Sequence, residues 1–460
     1  MNPSLLYYAT SMADLKAFGV PTQNIVVSLA GYYTVNDGGG GLFYWDSGAT
    51  EADNKGTVII PDTLPGTGRW RRTLTDRDYN VKWFGAKGDG ANDDTAAIQL
   101  AIDSLPARGG TVYFPGGIYS ITSTINVGNG DGGTNFSTTN GIKLVGEGAS
   151  FGVDNPDLRP TVFVCNASMP AAIDVRGRIS DVHIENIHIR CLFNAVVGIK
   201  LTAVSGTQMR NVKIVHYTDI GLFIMGGDAP VGNYNIFNEF DNVNVASIQD
   251  NSICLYMDGN YAVQNDTWIT SWRNCRFDTV ESKNSVCAWF KFVDSNSFYR
   301  CHFACYDSSS NGIIFDATSN DNFPSGMAFY DCSIYNTVVY EDATHKIRKN
   351  YFYGNGTYDN EALPTHPKLI GFTDDGRNFH MALQPLATTA AGEVGNVQWV
   401  NKGLSESVAL PVGGSWEYDI LLVNIATGTF NRVGGIAAGG TVVNNTANVY
   451  KFAKITKLEE

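Results

Sequence analysis

Six segments of the sequence repeat one eight-residue pattern, in which inward and outward residues alternate around a polar turn residue. They read VHIENIHI at 182–189, TQMRNVKI at 207–214, NEFDNVNV at 238–245, TSWRNCRF at 270–277, NSFYRCHF at 296–303 and MAFYDCSI at 327–334. The turn residue steps from Asn186 to Asp331 at intervals of 25–32 residues. This interval is typical of solenoids, in which each repeat forms one coil.

A third short apolar strand lies between successive segments, for example at 198–201, 221–224, 253–255 and 312–315. Three strands per coil, stacked in parallel, bury columns of like residues above like. We predict one inward column of Ile184, Met209, Phe240, Trp272, Phe298 and Phe329, and a second of Ile187, Val212, Val243, Cys275, Cys301 and Cys332. Asn suits the turn because it tolerates the left-handed conformation and can hydrogen-bond to its copy in the next coil. The predicted fold class is all-β, a parallel β-helix.

The chain on either side of the repeats predicts smaller domains. Residues 1–80 are rich in turns and indicate a small β cap or neck domain. Residues 81–350 form the β-helix, which begins with an amphipathic helix capped by Asp93 or Asp94 and presenting Ile98, Ile102 and Leu105. The repeat pattern stops near 351, so 351–394 is predicted as a linker. Alternating strands at 395–460 predict an antiparallel β-sandwich for trimerisation or carbohydrate binding.

The composition excludes several classes of protein. Only 17 % of the 460 residues are charged and 49 are Gly, which excludes a coiled coil, a disordered chain and a helix-rich enzyme. The formal net charge of −13 would repel phosphate backbones and anionic lipids. We therefore expect neither a nucleic-acid partner nor membrane insertion.

The cysteines and glycines give no sign of a metal site or a cofactor. All eight Cys lie between Cys165 and Cys332 without a CxxC pair, which predicts buried thiols in a protein made in a reducing cytoplasm. The glycine run at 38–41 lacks the Lys-Ser/Thr of a phosphate-binding loop, and no EF-hand pattern is present. We expect no cofactor. Binding of a metal ion by carboxylates from scattered positions is the alternative.

Two stretches carry a family resemblance. The residues FGAKGDG at 84–90, DDT at 93–95, AIQ at 97–99, AID at 101–103 and GGTVYFP at 109–115 resemble the opening of the pectate-lyase-like, right-handed parallel β-helix of bacteriophage and prophage tailspikes. The preceding DGGGGLFYWD at 37–46 resembles the neck segment of the same spikes. The two stretches cover about residues 30–120, and the repeats extend the likeness to about 340.

The resemblance implies a homotrimeric spike on the phage tail, made in the cytoplasm of the bacterial host. Such a spike binds, and usually cleaves, a capsular polysaccharide or the O-antigen of a lipopolysaccharide. The long amino-terminal virion-binding domain common in such spikes is absent, so we expect either a shortened chain or attachment through another tail protein. The resemblance assigns no catalytic residues.

A first candidate pair of catalytic carboxylates is Glu239 and Asp241, which point outward from one strand at a spacing of roughly 7 Å. That spacing is typical of inverting glycoside hydrolases, in which an acid and a base leave room for water. Alternatively, Asp241 belongs to a ladder of surface ion pairs with Arg210 and Arg273. Glu239 has no cationic column neighbour and is the better candidate for the acid.

A second set of candidates lies at the ends of the third strands, where Asp258, Asp294 and Asp316 occupy similar positions beside variable loops. The alternative is that these three residues are solvated surface groups without a catalytic role, as acidic loop residues often are. Candidate substrate-binding residues are Arg210, Arg273, Tyr256, Tyr299 and Trp289, of which the aromatic ones could stack on sugar rings. Packing is the alternative role for each ring.

Two other functions stay open. β-Elimination on a uronate polymer needs a base and cations, and His188, Lys213, Arg276 and His302 form one outward basic column. The negative net charge of the protein would repel a polyanionic uronate polymer, so hydrolysis is favoured over β-elimination. The second alternative is a receptor-binding spike that does not cleave its polysaccharide.

Overall fold

The computed structural model describes residues 5–341 except 24, 64–65, 76–77, 131–136, 150–159, 228–233, 260–265, 317–323, 325 and 336, and, beyond them, the strands bounded below. The chain divides into two compact units, Met1–Thr218 and Asp219–Glu460. Each unit is described by itself.

The first unit begins with a five-stranded sheet. Its elements are β1 (Leu5–Ala9), α1 (Met12–Ala17), β2 (Ile25–Leu29), β3 (Gly41–Asp46), β4 (Val58–Ile59) and β5 (Arg69–Arg72), with sheet order β1-β2-β3-β5-β4. Phe43, Trp45 and Trp70 fill its core together with Leu15 of α1, because alternate residues of each strand point to the same face. A small β domain was predicted for this part of the chain.

The helix after this sheet follows the predicted apolar pattern. It is α2 (Thr95–Asp103), and it buries Ile98, Ala101 and Ile102. Asp94 is the N-cap, but its carboxylate accepts hydrogen bonds from the amides of Lys87 (2.6 Å) and Gly88 (3.0 Å) instead of capping the helix. Asp94 therefore ties the preceding glycine turn to the helix start.

The remaining strands of the first unit form the first coils. They are β6 (Asp78–Asn80), β7 (Asp89–Asp93), β8 (Gly110–Phe114), β9 (Gly117–Ile121), β10 (Ile125–Val127), β11 (Ile142–Gly146), β12 (Thr161–Cys165), β13 (Met169–Ser180), β14 (His183–Arg190), β15 (Ala195–Ser205) and β16 (Gln208–Val215), with a 3₁₀ helix at Val81–Phe84. β14 pairs with β16 in parallel, with Ile184 opposite Met209 and Ile187 opposite Val212. All four side chains are fully buried, as both inward columns predict.

The second unit is built from the same three-strand coil. Its strands are β17 (Ile220–Met225), β18 (Asn235–Ile236), β19 (Glu239–Ser247), β20 (Ile253–Asp258), β21 (Thr267–Trp268), β22 (Ser271–Arg273), β23 (Arg276–Thr279), β24 (Val286–Lys291), β25 (Val293–Asp294), β26 (Ser297–Tyr299), β27 (His302–Cys305), β28 (Asn311–Asp316), β29 (Ala328–Tyr330), β30 (Ser333–Ile334) and β31 (Thr337–Glu341). Equivalent strands pair in parallel from coil to coil, for example β20 with β24 and β24 with β28.

An aromatic column runs through the interior of the second unit. Phe240, Trp272, Phe298 and Phe329 lie opposite one another in register, with ring centroids 4.2, 5.5 and 4.9 Å apart in successive pairs. Each ring is almost fully buried, so hydrophobic burial and ring stacking together stabilise the stacked coils. The predicted inward column is confirmed here.

The six turn residues adopt the predicted left-handed conformation. Their φ angles are 59° at Asn186, 52° at Asn211, 53° at Asn242, 53° at Asn274, 52° at Arg300 and 50° at Asp331. Asn211 Nδ2 donates to Asn186 Oδ1 at 3.0 Å, which is the predicted bond between copies. Asn274 Nδ2 instead donates to Asp241 Oδ1 at 3.0 Å, because this turn has an acceptor beside it. All eight Cys are free and buried, as predicted.

The structure differs from the prediction after residue 350, because the segment expected to be a linker contains strands of the parallel stack. They are β32 (Tyr351–Asn355), β33 (Leu369–Ile370) and β34 (Phe379–Ala382), which pair with β29, β31 and β32 respectively. The physical reason is that the run Tyr351-Phe352-Tyr353 repeats the aromatic pattern of Ala328–Tyr330 and pairs with it in register.

The last strands are antiparallel, as predicted for 395–460. They are β35 (Val397–Gln398), β36 (Val408–Ala409), β37 (Ser415–Val423), β38 (Phe430–Ala438), β39 (Val442–Val443) and β40 (Val449–Leu458). One sheet has the order β35-β40-β37-β38, and β36 pairs with β39. Across the described parts of the chain, neither helix is long and apolar enough to cross a membrane.

Candidate functional site

Four carboxyl groups lie at or beside strand ends in consecutive coils of the second unit. Asp258 at the end of β20 lies opposite Lys291 of β24, and Lys291 lies opposite Asp316 of β28. Asp294 ends the separate strand β25, so its predicted equivalence with Asp258 and Asp316 is wrong, because Lys291 holds that position in its coil. Asp266 immediately precedes β21. We call Asp258, Asp266, Asp294 and Asp316 the carboxylate cluster.

Two aromatic side chains lie beside the cluster, each two residues before the last residue of its strand. Tyr256 and Trp289 lie opposite each other, with their ring centroids 5.9 Å apart. Tyr256 Oη donates to Asp258 Oδ2 at 3.0 Å, and Trp289 Nε1 donates to Asp316 Oδ2 at 3.3 Å. The predicted residues Asp258, Asp316, Tyr256 and Trp289 are therefore brought together.

Asp258 sits in an environment that disfavours its charge. Burial raises the pKa of its carboxyl to about 6, and the nearby charge of Asp316 acts in the same direction. Lys291 and the Tyr256 hydroxyl oppose this shift because they stabilise the ionised form. Asp316 itself is only 5 % exposed.

Asp266 and Asp294 make up the other half of the cluster. Thr267 Oγ1 donates to the backbone oxygen of Asp258 at 3.1 Å, which joins the two halves, and the Thr267 amide donates to Asp266 Oδ1 at 2.9 Å. Trp268 lies opposite Asp294 in the paired strands β21 and β25. Burial, and then the charge of Asp294, raise the pKa of Asp266 to about 7.

This arrangement can perform acid–base chemistry near neutral pH. A carboxyl group whose pKa lies near 7 stays partly protonated there, and a neighbouring carboxylate can accept a proton from water. Sequence reasoning missed Asp266, because it stands outside the repeat pattern. The only signal that could have found it was its position between Asp258 and the short strand β21.

Glu239 and Asp241 occupy a different environment. Both side chains are exposed on β19, and the Glu239 carboxylate makes no hydrogen bond or ion pair with another described residue. Asp241 lies directly opposite Arg273, yet no ion pair joins them within this described region, and the Asp241 carboxylate accepts its bond from Asn274. The predicted ion-pair ladder is thus not formed between Asp241 and Arg273.

The remaining predicted binding residues lie away from the carboxylate cluster or in the first unit. Tyr299 is opposite Arg273, is 38 % exposed and stacks on Tyr330 with centroids 4.8 Å apart. Arg210 is exposed on β16 of the first unit, opposite Glu185. Within the described ranges, no group of three or more His, Cys, Asp or Glu side chains is arranged to hold a metal ion.

Two family models match the chain. Residues 8–75 match the phage tail protein small four-stranded β-sheet domain, and residues 79–286 match the family described as rhamnogalacturonase A/epimerase, pectate lyase-like. The second match covers most of the coils and includes Asp258 and Asp266. The chain thus contains a region that matches a pectate-lyase-like family and, before it, a region that matches a phage-tail β-sheet domain.

Solved structures share this fold at low sequence identity. The tailspike protein gp49 of Acinetobacter baumannii bacteriophage Fri1, a capsular polysaccharide depolymerase, is 14 % identical, with 98 % of this chain and 100 % of that chain covered and a TM-score of 0.55. Tailspike protein 2 of bacteriophage CBA120 is 13 % identical, with 98 % and 86 % covered and a TM-score of 0.50. The fold is that of phage tailspikes, and the resemblance found in the sequence is confirmed.

Curated relatives match only a short stretch. The mannuronan C5-epimerase AlgE5 of Azotobacter vinelandii is 65 % identical over 46 residues, which is 10 % of this chain and 5 % of that protein. Alginate lyase 7 of the same organism is 63 % identical over 46 residues, again 10 % and 5 %. The chain thus spans about a twentieth of the length of these relatives.

Proposed function

We propose that this protein is a tailspike that binds and depolymerises a bacterial surface polysaccharide, either a capsule or an O-antigen. The carboxylate cluster is the observation that carries the proposal, because it combines desolvated carboxyl groups with aromatic rings at one end of the coils. The match to a pectate-lyase-like family and the fold shared with a capsular polysaccharide depolymerase support it.

The proposed reaction is hydrolysis of a glycosidic bond. Asp266 is the general acid, because its raised pKa keeps it partly protonated at neutral pH. Asp294, diagonal to Asp266 across β21 and β25, is the base that activates water. Diagonal positions on one face lie roughly 7–8 Å apart, and inverting hydrolases need carboxyl groups about 6.5–9.5 Å apart.

The other members of the cluster bind substrate in this proposal. The Asp258 carboxyl, with its pKa near 6, and the rings of Tyr256 and Trp289 offer hydrogen bonds and flat apolar surfaces to sugar residues. We also propose that parts of the polymer away from the cleaved bond are bound by Arg210, Arg273 and Tyr299.

Glu239 and Asp241 are the second candidate pair for the hydrolase. Their outward positions on one strand give the spacing of an inverting pair. Their exposure argues against them, because a general acid needs surroundings that keep it protonated at working pH.

A lyase is the alternative to a hydrolase. It is supported by the short, strong match to alginate lyase 7 and mannuronan C5-epimerases, and by Arg276 and His302, which lie opposite each other on β23 and β27. The four Asp residues of the cluster favour hydrolysis, because they would repel a uronate.

The remaining parts of the proposal concern assembly. We infer a homotrimer at the phage tail, and the match of residues 8–75 to a phage tail domain supports attachment to the virion, directly or through another tail protein. Size determination in solution tests the trimer.

The activity is tested on an array of purified bacterial capsular and O-antigen polysaccharides. Incubation with the protein is expected to shorten one of them, measured by size-exclusion chromatography. New reducing ends without ultraviolet absorbance of an unsaturated uronate indicate hydrolysis, whereas that absorbance selects the lyase. Binding without shortening would select the non-cleaving receptor-binding spike.

A further inference from the structure

A second polar cluster lies on another strand of the same coils. Arg276 on β23 is directly opposite His302 on β27, and Asp278 on β23 is opposite Ala304. Asp278 is only 4 % exposed, although it carries a carboxyl group. Aspartates are almost never buried without a partner, so its surroundings need an explanation.

The Asp278 carboxylate is only partly satisfied by its neighbours. Arg276 Nε donates to Oδ2. The other oxygen, Oδ1, is buried and accepts no hydrogen bond from the described part of the chain, and His302 Nε2 lies 3.7 Å from it. Half of the Arg276 side chain stays exposed, and the Tyr306 side chain lies near it.

The charges of this cluster balance at neutral pH. Burial raises the pKa of Asp278 to about 6, against the effect of Arg276, so the carboxylate is largely ionised at pH 7 and pairs with the guanidinium. Burial, and then Arg276, lower the pKa of His302 to about 4, which leaves a neutral imidazole. The cluster therefore presents donors and acceptors with no net charge.

Tyrosine rings flank these polar groups. The Tyr335 ring lies edge-on to His302, with centroids 5.2 Å apart, and the Tyr306 ring is 6.4 Å from that of Tyr335. Polar groups of both hydrogen-bonding kinds beside aromatic faces suit a sugar, which has hydroxyl groups on its rim and apolar C–H faces.

The cluster is separate from the carboxylate cluster. Cys254 Sγ contacts the backbone oxygen of Asp278 at 3.2 Å, and Cys254 lies near the start of β20, whereas Asp258 ends that strand. Four residues of extended strand separate the two positions by roughly 13 Å. One sugar residue cannot occupy both places, so the two clusters would contact different sugar residues of a polysaccharide.

We propose that Arg276, Asp278, His302, Tyr306 and Tyr335 form a second, non-cleaving glycan-binding site for an uncharged sugar residue. The inference rests on the proposed function, since it takes the same polysaccharide as ligand. The site holds the polymer to the spike while the carboxylate cluster cuts it. Its loss therefore weakens binding of long chains without changing the chemical step.

The test uses the full chain and the polysaccharide array. Arg276→Gln and Tyr335→Ala are compared with Lys283→Ala, which removes an exposed cation from the loop after β23. Each change is also made with Asp266→Asn, and affinity for the selected polymer is measured by calorimetry. We expect about tenfold weaker binding for Arg276→Gln, because a charged hydrogen bond is lost.

Kinetics separate this proposal from the proposed function. In the presence of Asp266, both variants should raise KM for long polymer by about the same factor, and Tyr335→Ala should leave kcat on short oligosaccharides unchanged. Affinity and KM within about twofold of those of Lys283→Ala would overturn the second site. A wild-type protein that binds the array without cleaving it would overturn the proposed function alone. Absence of all binding would overturn both.

Discussion

The carboxylate cluster and the pair Glu239 and Asp241 are carried by the same coils, yet their surroundings differ. Asp258 and Asp266 are partly buried beside strand ends, where burial and then neighbouring carboxyl groups raise their pKa values to about 6 and 7. Glu239 and Asp241 lie on the exposed face of β19, and the Asp241 carboxylate accepts a hydrogen bond from the turn residue Asn274. The same kind of side chain, a carboxyl group, is thus a candidate acid in one environment and a solvated surface group in the other.

The difference follows from where a coil can exclude water. An outward side chain in the middle of a flat parallel sheet is solvated on its free side, so its charge costs little. At a strand end the chain turns, and loops and aromatic rings cover the side chains. Tyr256 and Trp289 provide that cover around Asp258 and Asp316. A solenoid therefore has few places where a carboxyl group becomes an acid at neutral pH.

The largest expected effect separates the two regions by activity. Asp266→Asn should lower kcat by about 10²–10⁴-fold, because the amide cannot donate a proton to the leaving group. Glu239→Gln is the matched control and should change kcat by less than about twofold. Initial rates on the selected polysaccharide measure both. Loss of turnover in Glu239→Gln with full activity in Asp266→Asn would move the active site to β19.

The pH dependence gives the next largest effect. Asp266 must be protonated to act, so kcat should fall above about pH 7, by about tenfold for each further pH unit. A rate profile between pH 5 and 9 checks this. A rate that already falls above pH 5 would instead indicate an acid with an ordinary carboxyl pKa, as expected for a solvated group.

The aromatic cover should affect binding more than chemistry. Trp289→Ala removes a ring from the carboxylate cluster and should raise KM by about five- to tenfold with a smaller change in kcat. Tyr299→Ala, which removes an exposed ring from the row containing Arg273, is the control with the smaller expected change. Equal effects of the two substitutions on KM would contradict the difference between the regions.

The smallest expected effect is on stability. A folded-state pKa raised above the unfolded value near 3.9 means that the stability contributed by Asp266 is complete below pH 4 and is lost as the pH rises toward 7. Asp266→Asn does not titrate, so at pH 8 it should melt roughly 2–5 °C above the wild type. Calorimetric scans at pH 4 and 8 should give a larger difference at pH 8. Glu239→Gln should melt with the wild type at both.

Most of the β-helix could be predicted from the sequence, because its coils are built from one local pattern. The inward column from Phe240 to Phe329 and the left-handed turns from Asn186 to Asp331 each depend on residue type at a fixed spacing. The end of the stack was not predicted, although Tyr351-Phe352-Tyr353 repeats the aromatic pattern of Ala328–Tyr330 and pairs with it in register. The following strand at 369–370 has only two residues, which is too short to show the repeat pattern.

The candidate site was predicted only in part. Asp258 and Asp316 followed from their equal positions at strand ends, since register carries such positions from coil to coil. Asp294 was found for the wrong reason, because Lys291 holds the equal position in its coil and Asp294 ends the separate strand β25. Asp266 and Asp278 could not be found, because their importance comes from burial and from charges across strands. Asp266 lies in an irregular connection, and Asp278 occupies an outward position that the pattern marks as solvated.

The ionisation state of Asp266 is the central claim, and infrared titration of the protein tests it most directly. Spectra of the wild type minus those of Asp266→Asn isolate the absorption of this carboxyl group, with the corresponding difference for Glu239→Gln as reference. The account predicts that the Asp266 signal of the protonated acid disappears with a midpoint of about pH 7. A midpoint at or below pH 5 would contradict it, because Asp266 would then be an ordinary solvated carboxylate.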